Sequence, residues 1–278
     1  MHFSILLSLY FKESPAFLFQ CFESIWDQQT LKPTEIVLVL DGPISQGLTK
    51  SVEHWQQKLG NILKIVTLAE NVGLGKALNE GLKHCTNEWV FRMDTDDICT
   101  PDRFSKQVAF IEKNPDVVLF GGQILEFNQD VSDAHVLKAV PENHNEIKKF
   151  ARNRCPFNHM TVAYKKSVII EVGGYQHHLF MEDYNLWLRV IGAGYQVANL
   201  LDIILYARVG NGMHTRRKGF KYIKSEKQLL DLKKQLKIQS PFYATIYFIV
   251  RSTFRLMPAN LLGKIYNTFL RKKVEKTE

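Results

Sequence analysis

The chain has 278 residues, 45% of them hydrophobic and 23% charged, enough to bury a full core as one large domain or as a domain with an appendage. Its four cysteines, Cys21, Cys85, Cys99 and Cys155, show no C-x-x-C spacing, which argues for reduced thiols in a cytosolic protein and against a disulfide framework or a zinc site. The net charge of +8 is uneven: from Arg208 onward 17 Lys and Arg stand against 4 Asp and Glu, a net of +13, so residues 1–207 carry a net −5.

In chain order, His2 to Tyr10 predicts a strand. No basic n-region accompanies this short apolar run, so a cleavable signal is not expected. Ser14 followed by Pro15 is a helix-start signature, and Phe17, Leu18, Cys21, Phe22, Ile25 and Trp26 continue it at helical spacing. Glu35 to Leu40 predicts a second buried strand, ending in Asp41-Gly42-Pro43. A polar helix over Leu48 to Leu59 leads to a third strand, Leu63 to Leu68. The Glu70–Gly81 segment reads as a glycine-bearing loop entering a helix. Trp89, Val90, Phe91 and Met93 predict the fourth strand, with Asp94, Asp96 and Asp97 at its tip and Thr100-Pro101-Asp102 starting a helix. Alternating strands and helices imply a mostly parallel sheet, in which ligands bind beyond the carboxyl ends of the strands. Tyr10, Asp41, the Asn71 loop and Asp94 all fall at that edge.

Three carboxylates at a strand tip repel one another. Oxygen ligands from a loop suit a hard divalent ion such as Mg²⁺ or Mn²⁺, with water and a substrate phosphate completing the shell; a solvated acidic turn is the plainer alternative. Two phosphate motifs fail at the glycine loop. A P-loop would need glycine at Glu70 and Ser or Thr at Ala77, and a dinucleotide fingerprint would need glycine at Leu78. A phosphatase-type D-x-D-x-T fails at Ile98.

The ordered set of motifs resembles the inverting family-2 glycosyltransferases of the GT-A fold. It comprises Asp41 after the second strand, the Asn71, Gly73, Lys76, Asn79 loop, Asp94-x-Asp96-Asp97, Gly173-Gly174-Tyr175, Glu182-Asp183 ahead of Leu186-Trp187, and Tyr206-x-Arg208. The resemblance covers roughly residues 2–215 and implies an α/β GT-A domain with a mixed, mostly parallel sheet. It implies a UDP-sugar donor bound by Tyr10, Glu13, Asp41, Asn71, Gly73, Lys76, Asn79, Asp94 and Arg208, with Asp41 reading the uracil ring. Asp94 and Asp96 would hold the ribose and the metal-bound diphosphate. Leu78 departs from the arginine many relatives carry, which leaves Lys76 as the diphosphate-facing cation. Asp183 resembles the catalytic base, with Glu182 beside it; a helix cap by Asp183 is the structural alternative. His159 and Asp97 are acceptor-side candidates. A buried histidine satisfied by backbone is the alternative at 159. His214 and Arg216-Arg217, in the Gly210-Asn-Gly212 loop, are expected to form a flap over the diphosphate. Trp26, Trp55 and Trp187 read as packing.

Residues 216–278 are expected as a basic helical tail. Lys218 to Lys237 predicts one helix and Pro241 starts another, too short in apolar content to span a bilayer. Cations interleaved with Phe, Tyr, Leu and Ile fit helices lying in an anionic membrane interface; a nucleic-acid arm would be less aromatic and aliphatic, so no nucleic-acid partner is expected. A helical subdomain packed on the core or on a second subunit is the alternative. The expected protein is thus an inverting hexosyltransferase at the cytoplasmic face of the membrane, using a lipid-diphosphate-linked sugar as acceptor in O-antigen or exopolysaccharide assembly. The rivals are a metal-dependent nucleotidyltransferase or phosphohydrolase, and a non-catalytic sugar- or nucleotide-binding module.

Overall fold

Apolar runs buried on both faces become the parallel half of a ten-stranded mixed sheet. The computed structural model describes residues 1–134, 136–209, 220–256 and 272–273. The expected flap residues His214 and Arg216-Arg217, and the tail between residues 257 and 271, lie outside the described residues.

Strand β1 (Ser4–Leu9) is followed by α1 (Pro15–Phe22), which starts at Pro15 after Ser14 and runs on into a widened π turn, Glu23–Asp27. Next come β2 (Glu35–Leu40), α2 (Gln46–Leu59), β3 (Leu63–Thr67), α3 (Leu74–His84) and β4 (Trp89–Arg92). These four strands pair in parallel in the order β3-β2-β1-β4. Alternation along β1 sorts the two faces. Phe3, Ile5, Leu7 and Leu9 join a cluster with Leu18 and Phe22 of α1, Trp55 of α2 and Phe104, whereas Leu6 faces Ala77 and Leu78 of α3. The strand order reverses between β1 and β4, the point beyond whose carboxyl ends such sheets bind ligands.

Beyond β4 the sheet becomes mixed. A two-residue β5 (Ile98–Cys99) and α4 (Arg103–Lys113) precede the long β6 (Val117–Phe127), β7 (Val136–Lys138), α5 (His144–Phe150), β8 (Ala163–Lys165), α6 (Lys166–Glu171), α7 (Glu182–Gly192) and β9 (Gln196–Arg208). β8 lies antiparallel between β4 and β6, and β9 runs parallel to β6 while pairing antiparallel with β5. Every residue of α7 from Tyr184 to Ile191 is buried, so this helix is the centre of the second packed layer. Trp55 and Trp187 are fully buried, as expected for packing residues; Trp26 is half-buried against the first cluster.

The described tail has two helices and one short strand. α8 (Phe220–Gln235) packs on the core through Tyr222, Leu229 and Leu230, and its buried Lys233 donates to the Arg152 carbonyl at 2.7 Å. Burial pushes that ammonium down to about 7. α9 (Pro241–Leu256) lies on α8, with Arg251 bonded to the buried Glu226 at 2.6 Å. Its opposite side, carrying Phe242, Tyr243, Ile246, Tyr247, Ile249 and Val250, is 36–70% exposed. β10 (Lys272–Lys273) pairs with β7. No helix among the described residues is long and apolar enough to cross a membrane.

Gly81 is where α3 touches the sheet: a Cβ there would sit 2.5 Å from Leu6 Cδ1 and 2.6 Å from Val39 Cγ2. Gly81→Ala is expected to lower stability by about 1–3 kcal/mol through overpacking. A fall in the urea midpoint at unchanged slope measures it, and an unchanged midpoint would show that α3 moves away at no cost.

Candidate active site

The acidic strand tip is held from beneath by two arginines that sequence reading passed over. Arg92, inside the apolar run of β4, is fully buried and ion-paired with Asp94. Arg103, the first residue of α4, is fully buried too; its Nη2 donates to the Arg92 carbonyl at 2.7 Å and to the Met160 carbonyl at 3.1 Å. Its Nη1 meets Met93 Sδ and Cys99 Sγ at 3.1 and 3.2 Å. Cys21 Sγ donates to the Asp94 carbonyl at 3.3 Å, and the Cys99 N–H to Ser24 Oγ at 3.1 Å, so the π turn after α1 braces the same loop. The signal was available: a charge inside a buried strand must find a partner.

On this support Asp94, Asp96 and Asp97 bring a carboxylate oxygen each within 4.8 Å of one another. Burial, then Asp94 and Glu13, pushes Asp96 up to about 7. Burial, then Asp96 and Asp94, raises Asp97 well above the ordinary range. Such a set of hard oxygen donors, whose repulsion Arg92 offsets only in part, fits a divalent ion. Glu13 adjoins it, accepting from Thr95 Oγ1 at 3.3 Å, and burial raises its carboxyl. Asp97, expected toward the acceptor, is instead 2% exposed inside the cluster, accepting from the Arg208 N–H at 2.8 Å. The Arg208 guanidinium lies between the Phe17 and Phe127 rings, 3.9 and 4.5 Å from their centroids. Its Nε donates to the Asp96 carbonyl at 3.1 Å. Arg208 thus ties the end of β9 to the acidic loop.

The second group forms at the end of β2. Asp41 is 3% exposed and its two carboxylate oxygens accept from the Val72 and Gly73 N–H groups at 2.7 and 3.1 Å. Asn71 Nδ2 returns to the Asp41 carbonyl at 3.1 Å. Gly73, at φ +88°, takes a conformation that favours glycine and opens α3. Lys76 is exposed on the first turn of α3, and Tyr10 is half-buried where β1 ends.

The third group joins α3 to α7. Asn79 exchanges both amide atoms with the Tyr175 backbone, at 2.7 and 2.8 Å, so its carboxamide is a clamp on the Gly173–Tyr175 turn. Gly174, at φ +61°, passes so close that a Cβ would lie 2.6 Å from Asn79 Oδ1. Glu182 and Asp183 are the first two residues of α7, and Met181 occupies the cap position, so the cap alternative for Asp183 does not hold. Glu182 packs against Gly75, and burial followed by the Asp183 charge raises its carboxyl. Asp183 Oδ2 lies 3.5 Å from Cys155 Sγ. His159, expected to be either an acceptor residue or a backbone-satisfied one, meets the Tyr175 hydroxyl at 2.8 Å. Burial and the nearby Arg92 charge hold its imidazole well below the usual value. Arg92 thus pairs with Asp94 and lies near enough to His159 for its charge to be felt there.

A family model described as Glycosyl transferase family 2 matches residues 4–177. The chain is 49% identical over 264 residues to the amylovoran biosynthesis glycosyltransferase AmsE of Erwinia amylovora, covering 95% of this chain and 97% of that protein. It is 36% identical over 279 residues to the UDP-Gal:alpha-D-GlcNAc-diphosphoundecaprenol beta-1,3-galactosyltransferase of Escherichia coli, covering 97% of each. Among solved structures it resembles the mannosyltransferase PcManGT of Pyrobaculum calidifontis, in complex with GDP-Man and Mn²⁺, with a TM-score of 0.66 and 18% identity over 96% of this chain and 75% of that one. The mixed sheet, with the acidic loop beyond β4, is that of a GT-A-type glycosyltransferase. The chain belongs to glycosyl transferase family 2.

A raised carboxyl pKa means the charge costs stability above the ordinary carboxylate range, and that a proton competes with a cation near neutrality. Mn²⁺ affinity is expected to rise from about pH 6 to about pH 8 as Asp96, held at about 7, loses its proton. Asp96→Asn should abolish that rise and, in metal-free protein near pH 8, increase stability by roughly 0.5–2 kcal/mol. Calorimetric titration and urea unfolding at both pH values check this; a pH-independent Mn²⁺ affinity would place the ion elsewhere.

Proposed function

We propose that the chain transfers a hexose from a UDP-sugar, with inversion, to a sugar carried on a lipid diphosphate in bacterial O-antigen or exopolysaccharide assembly. The observation that carries this reading is that Asp94 of the acidic loop and Asp183 of the first turn of α7 both act electrostatically on Tyr175, the residue whose hydroxyl meets His159. The two relatives named for amylovoran biosynthesis and for a lipid-diphosphate-linked acceptor support the substrate class.

In this reading Tyr10, Asp41 and Asn71 border the nucleoside, and the Asp41 carboxylate acts by fixing the Asn71–Gly73 loop. Lys76 and the N-terminus of α3 face the diphosphate, where a cation and aligned N–H groups favour an anion. Asp94 and Asp96 would hold Mn²⁺ or Mg²⁺, which supplies Lewis-acid stabilisation of the leaving diphosphate. Glu13 and Arg208 keep the acidic loop in place. Asp183 accepts the proton of the acceptor hydroxyl as that oxygen bonds to the anomeric carbon and the carbon–oxygen bond to the diphosphate breaks. Glu182 and His159 border the acceptor. UDP leaves and the configuration inverts.

Asp183→Asn keeps shape and hydrogen bonding but removes the base, so kcat should fall by roughly 10²–10⁴-fold with UDP affinity nearly unchanged. Loss of UDP binding in calorimetry would move Asp183 to the donor site. EDTA should stop turnover, and the nucleotide product should be UDP; release of pyrophosphate or phosphate would favour a nucleotidyltransferase or phosphohydrolase instead.

The tail holds the protein on the cytoplasmic leaflet in this reading, through the exposed side of α9 and the surrounding cations. Truncation before Pro241 is expected to reduce co-sedimentation with anionic vesicles while UDP binding survives. Equal, salt-independent sedimentation of full-length and truncated protein would make the tail a purely structural subdomain.

A further inference from the structure

A cavity of about 390 Å³, within the range of small-molecule sites, lies apart from the acidic loop between the end of α5, the α8–α9 turn and the first turns of α9. Lys149, Arg152, Asn153, Gln239, Tyr243 and Tyr247 line it, and no carboxylate does. Neither Lys149 nor Arg152 forms an ion pair with a described residue. The Glu226 carboxylate of α8 is taken by Arg251, whose Nη1 also donates to the Asn153 carbonyl at 2.6 Å.

Two lining residues hold a buried amide atom with no hydrogen-bond partner among the described residues, Gln239 Nε2 and Asn153 Oδ1. An unpaired buried amide is costly, and since Gln239 lines the cavity, a turn of its side chain toward an anion there would relieve that cost. Turning the Asn153 amide over, which leaves its shape unchanged, offers a second donor. Ser240 also lines the wall and immediately precedes α9, so the positive end of that helix adds to the same field.

The cavity is also where charge meets apolar surface. Tyr243 and Tyr247 belong both to its wall and to the exposed side of α9. It lies close to α7 as well: only one residue separates Asn153 from Cys155, a Cα distance of at most about 7.6 Å, and Cys155 Sγ is 3.5 Å from Asp183 Oδ2. A ligand with a sugar at Asp183, an anionic linker and a hydrocarbon chain would match these three features in order.

We infer that this cavity binds the diphosphate of the lipid-linked acceptor, with the hydrocarbon chain following the exposed side of α9. The inference rests on the acceptor class proposed above and adds the residues that select it. Lys149 and Arg152 are the specificity-determining cations, and Gln239 and Asn153 orient the phosphates.

The test compares full-length wild type with the Lys149→Gln/Arg152→Gln variant, both substitutions at exposed side chains, with thermal unfolding and UDP binding as folding controls. Two short-chain acceptors bearing the same sugar are used, an alkyl diphosphate glycoside and a neutral alkyl glycoside. Wild type should prefer the diphosphate compound, and the ratio of the two kcat/KM values should fall at least ten-fold in the variant. Sugar-free isoprenyl diphosphate, followed by calorimetry, should bind at least ten-fold more weakly to the variant than to wild type. Unchanged isoprenyl diphosphate affinity in the variant would overturn the assignment of the cavity, even if wild type glycosylates the lipid diphosphate. Binding through Lys149 and Arg152 without any transfer would instead overturn the proposed acceptor and leave the cavity a lipid-diphosphate site. An equal loss of affinity for phosphatidylglycerol vesicles would show a general headgroup site and overturn the selective reading.

Discussion

Asp94, Asp96 and Asp97 repel one another within 4.8 Å, and the opposing force comes from beneath, through Arg92 and Arg103. Arg92 pairs directly with Asp94, while Arg103 holds the carbonyl of Arg92 and the sulfur atoms of Met93 and Cys99. Removing one partner of a buried ionic group costs roughly 3–5 kcal/mol, since the other charge is left uncompensated. The loop is therefore kept strained electrostatically and fixed mechanically at once. That combination suits a cation-binding loop, because a hard divalent ion held by few carboxylates completes its shell with oxygen ligands from outside the protein.

The same economy appears elsewhere in the site. α3 serves two groups: its first turn is set by the Asp41 clamp on Val72 and Gly73, and its second by the Asn79 clamp on Tyr175. Gly75 and Gly174 are the points of closest approach, so the starts of α3 and α7 meet with Glu182 packed between them. Polar residues expected to face the donor thus first hold backbone. A carboxamide with both atoms engaged specifies geometry, and it does so without a flexible chain to order.

The parallel strands were legible because burial on both faces makes a strand a continuous apolar run, and because Asp41, Gly73 and Asp94 punctuate their carboxyl ends. α7 was legible from Leu186-Trp187 behind two acids. β9 was not, apart from its final Tyr206-x-Arg208, since Gln196, Asn199 and Asp202 interrupt it; Asn199 is fully buried and spends its amide on Gly121, Pro141 and Pro156. The two-residue β5 carries too little sequence to signal anything. Motif spacing named candidate residues for the site. It could not tell which of them bond to ligand and which to backbone, because Asp and Asn are chosen for both.

The tail separates two properties that its sequence interleaves. α8 carries the exposed cations Lys221, Lys224, Lys227 and Lys234 while its apolar side is spent on the core; α9 carries the exposed aromatic and aliphatic side. Burying one Phe or Ile side chain at an interface contributes about 1.5–3 kcal/mol and is insensitive to salt, whereas each cation near an anionic leaflet contributes on the order of 1 kcal/mol that screening removes over about 8 Å. Attraction by α8 would thus act at longer range and α9 would make the contact. The cavity at the start of α9 stands where the exposed side of that helix meets the cationic side chains of Lys149 and Arg152.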